Sequence, residues 1–193
     1  WWVPAGLGST AGGYVHYPLH DLMSVLALES ERHACLVIGE DLGTVPDGLR
    51  EKLIARSILG MRVLLFEQGH DGQFKPILDW PDNALATTST HDLPPLAGWL
   101  ETRDIEWNQR LELIDALTER HWRETRQTEI NGLRQLLEHN YHGALQEDSS
   151  VIDASVRLLG HTRAPLVLLP LEDALGINEQ SNLPGTIDTH PNW

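Results

Sequence analysis

Apolar residues gather in short unbroken runs: Leu36-Val37-Ile38, Met61 to Phe66, Ala84 to Ser89 and Pro165 to Leu169. Runs this short, without polar alternation, are the pattern of parallel strands covered on both faces. Amphipathic stretches separate them. After Pro18, a residue suited to the first turn of a helix, His20 to Arg32 spaces Leu22, Val25, Leu26 and Leu28 along one face. Pro46 to Ser57 repeats the spacing with Leu49, Leu53 and Ile54. The charged region from Asp104 to Asn140 carries Leu111, Ile114 and Leu117, then Ile130, Leu133, Leu136 and Leu137, and predicts two or more helices. Ile152, Val156 and Leu159 fall about one turn apart before His161, while Gln68 to Asp82 reads as a long polar loop. The order helix, strand, helix, strand, loop, strand, helices, strand predicts an α/β fold with right-handed crossovers and a parallel sheet.

Each apolar run ends in polar residues on its carboxyl side: Gly39-Glu40-Asp41, Glu67-Gln68, Thr90-His91-Asp92 and Glu172-Asp173. In parallel α/β folds the carboxyl ends of the strands share one face, and active sites are built there. Spacing therefore predicts Glu40, Glu67, His91, Asp92, Glu172 and Asp173 around one opening. Such carboxylates suit glycosyl transfer or hydrolysis through an acid/base pair. They equally suit a divalent metal site with His91 as a further ligand, as in a metal-dependent phosphohydrolase. A plainer alternative is that Asp41, Glu172 and Asp173 cap the helices that follow. Neither a HExxH, a paired CxxC nor a P-loop spacing is present. His16, His20, His121, His139 and His142 have no coherent ligand spacing and read as surface.

Charge narrows the partners. The 193 residues carry a net charge of −14, which disfavours a nucleic-acid backbone. No apolar run is long enough to span a bilayer. The single cysteine, Cys35, excludes an internal disulfide and reads as a small packed hydrophobe. The seven tryptophans read mainly as core, with sugar stacking as the alternative; Trp99 and Trp107 read as helix-packing residues. The chain begins Trp1-Trp2-Val3-Pro4 and ends Pro191-Asn192-Trp193, so both ends are expected to continue into a longer protein.

Taken in order, CLVIGEDLGTVP (35 to 46), TSTHDLPPLAGW (88 to 99) and LPLEDALGINEQSNLPGT (169 to 186) resemble the amylomaltase family. These are the 4-alpha-glucanotransferases, or disproportionating enzymes, of glycoside hydrolase family 77. GGYVHYPLHDLMSVLALESERH is similar to their bacterial, maltodextrin-using branch. The resemblance implies the C-terminal portion of a (β/α)8 TIM barrel over residues 1–193, with parallel strands and helical insertions. It also implies retaining transfer of α-1,4-glucan segments, no cofactor and a cytoplasmic setting.

On that resemblance Glu40 is the general acid/base and Asp92 the transition-state stabiliser. His91, Asp41 and Asn182 are the substrate-contacting or orienting residues. The family's nucleophilic aspartate precedes the WWVPAG segment, so it is not expected within this chain. Without it, a non-catalytic module that binds maltooligosaccharide stands as the alternative function. Half a barrel would also expose sheet edges, which implies pairing as a homodimer.

Overall fold

A computed structural model describes residues 1–69, 72–141 and 148–193. Three strands, β1 (Gly60–Val63), β2 (Ala84–Thr87) and β3 (Leu166–Leu168), form a parallel sheet in the order β1-β2-β3. Val63 lies opposite Thr87, and Thr87 opposite Leu168, so the three carboxyl ends finish level.

The expected strand at Leu36-Val37-Ile38 is reduced to a single parallel bridge between Ile38 and Leu59. Gly39 N–H donates to the Leu59 carbonyl at 2.7 Å, so the segment keeps the sheet direction. Leu36 and Ile38 are exposed, and the covering that would hold a longer strand is missing among the described residues. Met61 to Phe66 is strand only as far as Val63; Leu64–Phe66 turns as a 3-10 helix. Leu64 and Leu65 are both buried, which successive residues of a flat strand cannot achieve on one side. The segment from Gln68 to Asp82 is not simply polar. Gln68 bridges to Phe74, and Phe74, Ile77 and Trp80 are buried in the core; His70 and Asp71 lie outside the described residues.

Seven helices are described: α1 (Leu19–Arg32), α2 (Leu49–Ile54), α3 (Leu96–Leu100), α4 (Arg103–Arg110), α5 (Ala116–Tyr141), α6 (Asp148–Leu159) and α7 (Leu171–Leu175). The core joins Val63, Leu64 and Ala86 of the sheet region to Leu96 and Trp99 of α3, Leu133 and Leu137 of α5, and Val151 and Leu158 of α6. Fully burying one such leucine contributes about 1.5–3 kcal/mol. Arg126 of α5 locks α4 to α5 through paired bonds to the Asp104 carboxylate at 2.9 and 2.8 Å, and it lies over the Trp99 ring. Helix α1 has no buried residue, and its Leu22, Val25, Leu26 and Leu28 face solvent. Cys35 is exposed rather than packed. Trp80 and Trp99 are core, whereas Trp1, Trp2, Trp122 and Trp193 are exposed. His16, His20, His121 and His139 are exposed, and His142 lies outside the described residues. No helix among the described residues is long and apolar enough to cross a membrane.

Candidate active site

Glu40 and Asp41 leave the sheet side by side and meet opposite fates. Asp41 is only 2% exposed. Its Oδ1 accepts the Met61 N–H at 2.7 Å, at the start of β1, and its Oδ2 accepts Arg50 Nε at 2.7 Å. Arg50 also donates to the Asp41 carbonyl at 2.9 Å, and Arg62 reaches Oδ2 at 3.2 Å. Burial alone would raise the Asp41 pKa, but the Met61 amide and the two guanidinium groups hold it below the ordinary carboxylate range. The fit is tight, because a Cβ on Gly60 would sit 2.9 Å from Asp41 Oδ1. With Asp41 pinned beneath it, Glu40 stands exposed at the rim.

The loop after β2 carries His91 and Asp92. Thr87 and Ser89 fold its first turn: Thr87 Oγ1 donates to the Ser89 carbonyl at 3.0 Å, and Ser89 Oγ to the Pro94 carbonyl at 2.8 Å. His91 Nε2 lies 3.4 Å from Asp92 Oδ1, with both side chains about half exposed. Asn182 Nδ2 donates to the same Asp92 oxygen at 2.6 Å. Gln180, buried, donates through Nε2 to the Asp92 carbonyl at 3.0 Å and to the Asn182 carbonyl at 2.6 Å. The carboxylate of Asp92 and its backbone are thus held by one short segment, Gln180 to Asn182.

Glu40 and His91 line one cavity of about 310 Å³ at the level carboxyl ends of the strands, with Met61, Thr87 and Leu168 in its wall. A neighbouring cavity of about 250 Å³ shares His91, Ser89 and Thr90 and adds Glu172, Ser181 and Trp193. The Trp193 ring lies 5.7 Å from that of His91. Ser181 donates to Glu172 and lowers its pKa.

The other two acids of the expected ring stand elsewhere. Glu67 pairs with Lys75 at 2.9 Å and lies 3.8 Å from Arg62, and it lines a separate cavity with Asp41. Asp173 is 3% exposed and occupied by Thr88 and the Leu96 amide. It therefore caps α3, not α7, the helix in which it lies. Among the described residues no group of three or more His, Cys, Asp or Glu side chains is placed to hold a metal ion. Trp99 and Trp107 serve packing: Trp99 is buried, and Trp107 donates to Glu179 at 2.8 Å while lying edge-on to His190. Arg50, Arg62 and Trp193 lie in no motif that singles them out, whereas Gln180 and Ser181 fall within LPLEDALGINEQSNLPGT, whose amide-rich Asn178 to Asn182 stretch marks a hydrogen-bonding segment.

A family model described as 4-alpha-glucanotransferase matches residues 1–193. The 4-alpha-glucanotransferase of Haemophilus influenzae is 35% identical over 202 residues, covering 100% of this chain and 29% of that protein. That of Mycobacterium tuberculosis is 35% identical over 199 residues, covering 100% of this chain and 28% of its own length. Among solved structures, the amylomaltase of Corynebacterium glutamicum superposes with a TM-score of 0.87 at 29% identity, covering 98% of this chain and 29% of that one. The amylomaltase from Streptococcus agalactiae in complex with acarbose has a TM-score of 0.63 at 18% identity, a likeness of fold alone, over 95% of this chain and 32% of that one. The chain thus spans less than a third of the length of these relatives.

Proposed function

The chain belongs to the 4-alpha-glucanotransferase family, and from that premise we propose that it supplies the acid/base half of a retaining glucan-transfer site. The observation that carries the reading is the shared cavity: Glu40 and His91 line it together, with Asp92 beside His91 and held by Asn182. Retention takes two carboxyl groups about 5–5.5 Å apart, one attacking and one handling protons. In this reading a carboxylate attacks the anomeric carbon as the bond to the leaving glucan oxygen breaks. Glu40 passes its proton to that oxygen. Glu40 then takes a proton from the 4-hydroxyl of the incoming chain as that oxygen attacks the glycosyl-enzyme and frees the carboxylate. Asp92 faces the positive charge that develops on the sugar ring, where preorganised opposite charge is the largest contribution. His91 donates to a sugar hydroxyl. Asp41, with its oxygens already engaged, orients the Glu40 turn rather than the glucan. Asn182 acts through Asp92. None of the carboxylates of residues 1–193 takes the nucleophile's part in this scheme.

The same reading makes the segment one side of a (β/α)8 barrel, working on α-1,4-glucans in the cytoplasm. It also makes the two open edges of the sheet pairing surfaces. Leu36 and Ile38 are exposed at the β1 edge, and Val167 and Leu168 at the opposite β3 edge; such edges pair with a second copy of the chain unless other polypeptide covers them.

Maltotriose decides the function. A full-length family enzyme carrying this segment is expected to turn it into longer and shorter maltooligosaccharides, and Glu40→Gln to abolish that redistribution. Binding of maltotriose with no new chain lengths in the unsubstituted enzyme would favour a sugar-binding module instead.

A further inference from the structure

Asp173 is a buried carboxylate that the proposed chemistry does not use. It sits in α7, just past β3, yet both its hydrogen-bond partners belong to the loop after the neighbouring strand. Its Oδ2 accepts the hydroxyl of Thr88, which is itself fully buried, and its Oδ1 accepts the Leu96 N–H at 2.6 Å. Thr88 is where the loop leaves β2, and Leu96 is where it enters α3. The two oxygens of one side chain therefore hold the two ends of the loop that carries His91 and Asp92. Between those ends the loop is held further by the Ser89 hydroxyl on Pro94, the Leu93 amide on the Thr90 carbonyl at 3.1 Å, and Gln180 and Asn182 on Asp92.

A cap alone does not account for this placement. One neutral acceptor is enough to satisfy a helix amide, and burying a carboxylate is costly. Burial pushes the Asp173 pKa up against the pull of Thr88 and Leu96, and the neighbouring Glu172 charge adds to the rise. The two oxygens of one carboxylate let groups from opposite ends of a loop meet at one point, and Asp173 joins Thr88 and Leu96 in this way.

We propose that Asp173 is a positioning residue, a clamp that fixes the spacing of Thr88 and Leu96 and through it the stance of Asp92 and His91 toward the sugar. The proposal rests on the glucan-transfer reading of that loop. Loss of the clamp leaves the glucan contacts in place but lets the charge of Asp92 wander, so it acts on turnover more than on binding. Misplacement on the scale of 1 Å costs up to about 100-fold in rate.

The test uses a full-length family enzyme carrying this segment. Asp173→Ala removes both acceptors, whereas an asparagine amide could still donate to the Thr88 hydroxyl and keep both ends joined. Its kcat is expected to fall about 10- to 100-fold, with KM for maltotriose changed less than about twofold. Thr88→Val, which removes the hydroxyl, is expected to move kcat in the same direction. Thr88→Ser, which retains it, is expected to restore most of the turnover. Adding Thr88→Val to Asp173→Ala is expected to cost less than the product of the single losses, as for residues acting as one unit. Unchanged kcat in a folded Asp173→Ala enzyme overturns the proposal. Equal losses in Thr88→Val and Thr88→Ser also overturn it. If Asp173→Ala does not fold, the two threonine variants decide by the same split. An unsubstituted enzyme without transfer activity removes the functional reading instead. The clamp is then judged by amide exchange across residues 89–95: faster exchange in Thr88→Val than in Thr88→Ser upholds it, and equal exchange rejects it.

Discussion

Two neighbouring acids show how much a single residue's surroundings decide. Asp41 is enclosed by an amide and two guanidinium groups, while Glu40 beside it faces the cavity. Asp41 has a folded-state pKa below its unfolded one, so between the two values the unfolded chain binds more protons than the native one. Its stabilisation is complete above the unfolded pKa of about 3.9 and is lost as pH falls through the folded value. Asp41→Asn is expected to cost about 2 kcal/mol at pH 7, the worth of a charge-assisted hydrogen bond. Melting of the two proteins from pH 7 down to pH 2.5 is expected to show the gap closing at the acid end. A gap that stays constant would mean that Asp41 is not held as a carboxylate. The sequence makes it legible that carboxylates stand at the ends of the apolar runs. It does not say which acid points where, because the deciding partners arrive from elsewhere. Arg50 comes from α2 and Arg62 from β1, and Glu67 is drawn away from the opening by Lys75 and Arg62.

Among elements, α3 and the Asn178 to Asn182 segment meet at unusually close range. A Cβ on Gly98 would lie 2.2 Å from the Asn178 carbonyl oxygen, so only glycine permits the approach. Alanine normally favours a helix by about 1 kcal/mol over glycine. Here the clash dominates, and Gly98→Ala is expected to lower stability by about 1–3 kcal/mol, as for overpacking elsewhere. It should also loosen the Asn182 contact with Asp92, visible as faster side-chain amide exchange at Asn182. A melting temperature equal to or above that of the unsubstituted protein would refute the tight approach. Helical periodicity in the sequence marks α1 and more than one helix in the charged region, but Leu111, Ile114 and Leu117, spaced as one helical face, straddle the break between α4 and α5. Strands were less legible. The pattern Leu64-Leu65 says that both side chains are buried, but not that the backbone turns to bury them. The face of α1 is equally plain in the sequence, yet what covers that face is not encoded within it.

For the molecule as a whole, the exposed apolar residues of α1 and of the two sheet edges form unsatisfied surface. If a second copy covers them, light scattering of the isolated chain is expected to give a mass rising toward twice 21.6 kDa with concentration. Substituting Val167→Lys on the β3 edge should then return the mass to that of one chain. A mass that stays single at every concentration would dismiss the pairing. The bonds at the proposed site have a consequence in time as well. Asp92 and its loop are held by Asp173, Gln180 and Asn182 through bonds that span 77, 85, 88 and 90 positions of sequence. At a synthesis rate of about 5–20 residues per second, the ribosome works for roughly 5–20 s after making Asp92 before Asn182 exists to hold it. During that interval β2 can form, but the loop beyond it waits for Asp173, Gln180 and Asn182 to be made.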